Sequence, residues 1–243
     1  MSYVLIIGAK SDIAKEIART YAKNGYNLYL CARSSSDLSE LKTDIEVRSA
    51  VNVQILDFDI TAYDTHKSFY EQLSEKPLGV IIVSGYMTEQ KIAQKNWGEC
   101  LNTINVNYTG AVSILNIISN DFEKERRGFI VGISSVAGDR GRKANYIYGS
   151  AKAAFSSYLS GLRNRLFKSG VSVLTVKPGF VATKMTQKLH LPERLTAEPI
   201  DVAEDIYKAQ QAGKNILYTK SIWFLIMLII KNIPEFIFKK LSI

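Results

Sequence analysis

This sequence predicts a doubly wound α/β fold, with about seven parallel strands covered on both faces by helices and a hydrophobic helical tail. Short β-branched apolar runs alternate with longer stretches of helical periodicity. The runs are apolar throughout instead of alternating with polar residues, as strands buried on both faces require. The first run also ends directly on a glycine that opens a helix, the arrangement by which such sheets begin.

The strand runs are "YVLIIG" from Tyr3, "NLYLCA" from Asn27, "NVQILDFD" from Asn52, "GVIIVSG" from Gly79, "GFIVGISS" from Gly128 and "VSVLTVKPG" from Val171. A weaker run, "NILYT", begins at Asn215. Between them the pattern predicts helices over 11–24, 36–49, 62–73, 97–118, 148–168 and 201–211. No internal repeat or low-complexity tract interrupts this order. "EKERR" from Glu123 reads as a solvated loop before a strand.

At 243 residues and 47% hydrophobic content, residues 1–218 are long enough for one substantial core, and residues 219–243 differ from them in composition. Cys31 and Cys100 are too few for a disulfide scaffold and form no metal cluster, so a reducing, cytoplasmic compartment is expected. "MSYVLIIGAK" lacks the basic start and cleavage site of a signal peptide. The net charge of +8 suits nucleic acid, an anionic membrane surface or a phosphate-bearing substrate, and its sign does not choose among them. Dispersed cations without interleaved aromatics argue against nucleic acid. His66 and His190 lack acidic or cysteine partners at metal spacing, so no metal is expected.

"IIGAKSDIA" joins the first strand to the first helix, where a dinucleotide pyrophosphate binds backbone N–H groups and the helix dipole. Gly8 permits the tight turn, but Asp12 and Ala14 replace the later glycines. An Asp12 carboxylate facing the pyrophosphate would be repelled, so it should point away. A plain turn with Ser11 or Asp12 as the helix N-cap reads equally well. No acid follows "LCARSSS" to bind a ribose 2′-hydroxyl; Arg33 stands there with Lys10 nearby. Two cations suit a 2′-phosphate, favouring NADP(H) over NAD(H), unless both are solvated surface charges.

"YGSAK" sets Tyr148 and Lys152 on one helix face, where an ammonium favours phenolate and lowers a phenol pKa that starts near ~10. "IVGISSVAG" ends the fifth strand with Ser134 and Ser135 at the carboxyl edge of the sheet. A hydroxyl at Ser135 can stabilise charge developing on a carbonyl oxygen. With 13 tyrosines in the chain, a Tyr–x₃–Lys pair also arises by chance, and paired serines often merely end a strand.

Taken in this order, the motifs resemble the short-chain dehydrogenase/reductase family over nearly the whole chain to about Tyr218. The resemblance implies a Rossmann-type fold and a catalytic tetrad of Asn107 (in "NYTG"), Ser135, Tyr148 and Lys152, with Asn107 holding a water in a proton relay through the lysine. It implies cofactor contacts from the loop residues Gly8, Lys10, Ser11, Asp12 and Ile13, from Arg33, and from Asp59 and Ile60 after the third strand. Ser84 and Gly85 in "VSGY", Tyr148 and Lys152, and Pro178, Gly179, Val181 and Thr183 in "KPGFVAT" complete the implied set. The later glycines of the loop and most of the family's Asn-Asn-Ala-Gly stretch are absent. Homodimers or homotetramers are the assemblies this family suggests.

Within the family, "SSVAGDRGRKANYIYGSAK" and the tail look most like the decaprenylphosphoryl-2-keto-β-D-erythro-pentose reductase-like members, implying a lipid-linked keto sugar as substrate. Another ketone, such as a 3-oxoacyl chain or hydrophobic lipid carbonyl, stays open, as does an NADP(H)-binding sensor or membrane-docked scaffold without turnover. The apolar run 222–230 spans about 14 Å as a helix, roughly half a ~30 Å bilayer core. Lys231, Asn232, Pro234 and Glu235 favour two short helices in an interface, with Lys220, Lys231, Lys239 and Lys240 at anionic head groups. Packing of Trp223, Phe224, Phe236 and Phe238 on the domain or a sister subunit, closing a substrate pocket, is the alternative.

Overall fold

Each strong apolar run becomes a strand of one parallel sheet. The computed structural model describes residues 1–187 and 191–241. In it β1 (Tyr3–Ile7), β2 (Asn27–Ala32), β3 (Val53–Asp57), β4 (Gly79–Ile82), β5 (Phe129–Ile133) and β6 (Ser172–Pro178) match the six strong runs. Two brief strands, β7 (Phe180–Val181) and β8 (Thr196–Ala197), pair only with each other, and the weak run forms β9 (Ile216–Thr219). The main sheet runs β3-β2-β1-β4-β5-β6-β9. Strands of two residues carry no readable period, so β7 and β8 were invisible in the sequence.

The helices in chain order are α1 (Asp12–Lys23), α2 (Ser39–Arg48), α3 (His66–Glu71), α4 (Gln90–Ala93), α5 (Trp97–Ile104), α6 (Gly110–Glu125), α7 (Tyr146–Leu166), α8 (Pro199–Gln211), α9 (Ile222–Asn232) and α10 (Glu235–Phe238). Ile17 and Tyr21 of α1, Ile45 of α2 and Ile206 of α8 join Val4 and Ile6 of β1 in one core. Tyr70 of α3, Ile114 of α6 and Phe155 and Leu159 of α7 join Leu5 and Ile7 in the other. Successive β1 residues therefore enter opposite cores, which is why the run is apolar without alternation. The order reverses between β1 and β4, opening a crevice at their carboxyl ends.

Two expectations are corrected. The helix expected over 97–118 is α5, a wider π turn at Asn105–Thr109, and α6, which continues to Glu125. "EKERR" is consequently not a loop throughout. Glu123–Glu125 form the last turn of α6, where Glu123 pairs with Arg165 of α7, and Arg126 ends the helix in left-handed backbone with φ 52°. That partner lies far along the chain, out of reach of local pattern reading.

The tail forms two short helices, as expected. Trp223 and Met227 of α9 are buried with Val136. Arg140 Nη1 donates to the carbonyls of Ile230 and Ile233, each at 2.6 Å, and its guanidinium lies 3.6 Å from the Phe238 ring centroid. Arg140 thereby satisfies carbonyls left open at the end of α9. Among the described residues no helix is long and apolar enough to cross a membrane.

Gly132 lets α7 close on β5: an added Cβ would stand 2.4 Å from Leu159 Cδ1 and 2.9 Å from Phe155 Cζ. Gly132→Ala should therefore lose about 1–3 kcal/mol in denaturant unfolding. Gly161→Ala, on the open face of the same helix with nothing within 4 Å, should match or exceed wild type.

Candidate active site

Ser135 follows β5 in extended backbone, and its Oγ accepts from Ala137 N at 3.1 Å. Tyr148 stands in the first turn of α7 with Lys152 one turn further on. The Lys152 ammonium is buried, donates to the Ile133 carbonyl at 2.9 Å and lies 5.8 Å from the Tyr148 ring centroid. Ser134 serves structure: its hydroxyl donates to the Lys152 carbonyl at 2.9 Å.

The expected lowering of the Tyr148 pKa is corrected. Burial pushes the phenol up to about 12, outweighing a hydrogen bond with Ser135 that acts in the opposite direction. Burial also pushes Lys152 down to about 7. The spacing counted the charge and not the desolvation of both groups. At neutral pH Tyr148 is a protonated donor, and Lys152 can take up or release a proton.

Asn107 lies in the π turn behind Gly85. Its Nδ2 donates to the carbonyls of Tyr86 (2.6 Å) and Thr103 (2.8 Å), and its Oδ1 accepts from Tyr86 N (3.3 Å). A Cβ on Gly85 would stand 3.5 Å from Asn107 Oδ1 and 3.9 Å from Lys152 Nζ, so both groups approach the same bare backbone. The Asn107 side chain thus ties the chain after β4 to α5.

Two adjoining cavities meet at this point. The first, of about 340 Å³, is lined by Ser135, Tyr148, Lys152, Asp12 and Ile13, together with Pro178, Gly179, Val181 and Thr183. The second, of about 640 Å³, is lined by Gly8, Arg33, Asp59, Ile60 and Ser84. Lys10, Ser11 and Gly85 border both, so the predicted residues surround one groove across the β1/β4 crevice, with only Asn107 behind its wall.

Several local contacts shape the groove. Gly8 has φ +90°, and a Cβ there would lie 2.6 Å from Ser84 N, so only glycine lets β1 end against the β4 segment. Ser11 Oγ caps α1 by accepting from Ala14 N at 3.1 Å. Asp12 accepts from Lys184 N at 2.8 Å, which ties down its carboxylate. Lys10 pairs with Asp37 and so is not the unengaged cation the sequence suggested, whereas Arg33 has no ion-pair partner among the described residues. Burial opposes the charge on Asp59, but hydrogen bonds from Thr61 and the field of Arg33 prevail and hold its carboxyl below the usual range.

His66 is fully buried, hydrogen-bonded to Ser113 Oγ at 2.9 Å and the Asp59 carbonyl at 3.2 Å, and burial holds its pKa down. It is a core residue. His190 lies outside the described residues, among which no metal-binding group of side chains occurs.

The packing alternative for Trp223 holds, while sequence reasoning missed Arg142 and Asn145 in the cavity wall. Trp223 reaches it from α9, its indole donating to the Leu195 carbonyl at 3.0 Å, and a Cβ on Gly179 would lie 2.0 Å from that ring. Arg142 and Asn145 line it from the loop before α7. Their run, "DRGRKAN", has no period and carries meaning in the sequence only as part of a resemblance.

A parallel sheet, a glycine turn at its switch point and a tyrosine–lysine helix define an oxidoreductase of the dinucleotide-binding class. The family model for short chain dehydrogenase matches residues 2–194, and the chain belongs to that family. It is accordingly an NAD(P)-dependent oxidoreductase. An uncharacterized oxidoreductase of Mycobacterium tuberculosis is 30% identical over 243 residues, covering 98% of this chain and 96% of its own. Among solved structures, a short-chain dehydrogenase from Sphingobium yanoikuyae in complex with NADPH superposes with a TM-score of 0.83 at 22% identity, over 97% of each chain. A 3-oxoacyl-[acyl-carrier protein] reductase from Brucella melitensis gives 0.79 at 19% identity over 89% of each. At these identities the two structures establish likeness of fold.

The buried lysine has a measurable consequence for stability. Between pH ~7 and ~10.5 the unfolded chain holds the Lys152 proton that the folded chain has released. The burial penalty is therefore full below pH ~7 and fades as pH rises toward ~10.5. Lys152→Met should gain up to about 3–5 kcal/mol over wild type at pH 6, with the gain shrinking toward pH 10, in parallel denaturant titrations.

Proposed function

We infer that the chain reduces a ketone with NADPH, and that its substrate is hydrophobic and lipid-borne, with a polyprenyl-phosphate-linked keto sugar as the specific candidate. One observation carries this reading: Ser135 and Tyr148 face a cavity whose walls include Phe180, Met185 and Trp223, continuous with the groove at Gly8.

The groove suits a dinucleotide. The bare backbone at Gly8 and the N-terminus of α1 would receive the pyrophosphate, Asp59 and Ile60 the adenine end, and Arg33 a 2′-phosphate, which favours NADP(H) while leaving NAD(H) usable. Pro178, Gly179, Val181 and Thr183 would flank the nicotinamide, which supplies the hydride when bound. Tyr148, protonated at neutral pH, donates its proton to the ketone oxygen. Ser135 orients that oxygen. Lys152 returns a proton to Tyr148, and Asn107 holds the wall behind the lysine.

Residues 1–218 form the catalytic body in this reading, and residues 219–243 bring it to its substrate. Beside the buried Trp223, α9 and α10 expose Leu225 (55%), Leu228 (51%), Ile229 (67%) and Phe236 (66%). Lys231, Lys239 and Lys240 are exposed on the same segment. Apolar side chains bordered by cations suit the inner face of an anionic membrane, with the body in the cytoplasm. A homodimer or homotetramer is the assembly we propose.

The test is NADPH oxidation with a polyprenyl-phosphate keto pentose beside a 3-oxoacyl thioester. We expect turnover on the lipid-linked sugar, reduced at least ~10³-fold in Tyr148→Phe; turnover on the thioester alone would keep the chemistry and transfer the substrate assignment to acyl chains. A chain that binds NADPH and turns over neither ketone would be a sensor or scaffold. Membrane contact has its own test. Wild type should sediment with phosphatidylglycerol vesicles and Leu225→Ser/Ile229→Ser should stay in the supernatant, whereas equal sedimentation would reject the tail as the docking surface.

A further inference from the structure

Arg142 is a charged side chain in the cavity wall, where burial opposes its charge and the field of Asp139 only partly offsets that burial. It lines the cavity beside Ser135 and Tyr148, its Nε is buried without a hydrogen-bond partner, and its guanidinium makes no ion pair among the described residues. The acid of its own loop, Asp139, is engaged elsewhere, by Lys177 Nζ on Oδ1 and by the Tyr218 hydroxyl on Oδ2 at 2.7 Å. Leaving a partly buried charge uncompensated is costly, and a guanidinium stays protonated at any working pH.

Asn145 repeats the pattern one step along the same wall. It occupies the N-cap position of α7, where an asparagine side chain ordinarily accepts from a helix amide, yet it makes no such bond. Its Oδ1 is buried and unpartnered, and the residue lines the same cavity. An unmatched fork of donors and an unmatched acceptor thus share a pocket whose apolar lining includes Met87, Val136, Phe180 and Trp223. A phosphoryl oxygen pair fits the guanidinium fork, a hydroxyl beside it fits the amide oxygen, and a hydrocarbon chain fits the remaining wall.

We propose that Arg142 and Asn145 recognise a phosphoryl group and an adjoining hydroxyl of the ketone substrate, making this enzyme selective for phosphorylated amphiphilic ketones over neutral ones. This rests on the ketone-reductase reading of the groove and adds to it the residues that select a charged substrate. Arg142 acts here as a specificity-determining residue, separate from the proton-transferring groups.

The test compares three ketones with NADPH: the dodecyl phosphodiester of hydroxyacetone, the dodecyl ether of hydroxyacetone, and hydroxyacetone phosphate. Calorimetric titration with dodecyl phosphate supplies a readout independent of turnover. Wild type should favour the phosphodiester over the ether in kcat/KM by about 10- to 100-fold. That ratio should fall toward one in Arg142→Leu and recover in part in Arg142→Lys, with dodecyl phosphate affinity following the same order. Use of hydroxyacetone phosphate as good as that of the dodecyl diester would support the phosphoryl site and assign it to free phosphate esters. An Arg142→Leu protein with the wild-type ratio and wild-type dodecyl phosphate affinity would overturn the proposal, as would equal kcat/KM for the two dodecyl ketones in wild type. Arg142-dependent dodecyl phosphate binding without turnover of any ketone would support the anion site and sink the reductase reading instead.

Discussion

The close approach of α7 to the chain leaving β5 is the constraint on which the site depends. Three bare backbones permit it. A Cβ on Gly132 would collide with Leu159, one on Gly138 would lie 2.7 Å from Ala153 N, and one on Gly149 would lie 2.7 Å from the Ala137 carbonyl. With all three free of side chains, Lys152 reaches the Ile133 carbonyl and Tyr148 comes within hydrogen-bonding reach of Ser135. The same proximity buries Lys152 and leaves Tyr148 half-buried in the cavity wall, favouring the neutral form of each. Packing, more than the charge of the lysine, tunes this pair.

The second determinant is the reversal of strand order between β1 and β4. It opens the groove, Gly8 and Gly85 floor it with backbone, and the tail closes one end through Trp223. The tail therefore has two faces with different work: one completes the cavity wall, the other is left apolar and exposed. The sequence posed these as alternatives, membrane contact or packing on the domain. Trp223 packs on the domain and Phe238 lies against Arg140, whereas Phe224 and Phe236 are exposed and contribute to an apolar outer face.

Much of this was legible because the signals are local. Continuous apolar runs report strands buried on both faces, and the glycine after Ile7 reports the switch-point turn. Tyr148 and Lys152 share a helix turn, so their spacing survives any error in helix boundaries. The illegible parts depend on distant partners. Glu123 extends α6 by pairing with Arg165, Lys10 is taken up by Asp37, and the pKa of Tyr148 reflects burial that no spacing encodes. Arg142 and Asn145 were not singled out because polarity alone does not distinguish a side chain facing solvent from one facing a cavity.

The measurement that bears most directly on the account is where the hydride goes. NADPH carrying deuterium at both C4 positions would be incubated with the protein and the dodecyl phosphodiester of hydroxyacetone, and the alcohol formed would be analysed by mass spectrometry. The account predicts an alcohol with one deuterium on the carbinol carbon, formed by wild type and not by a protein lacking the Tyr148 hydroxyl. Deuterium absent from that carbon, or an alcohol formed equally well without the hydroxyl, would contradict it.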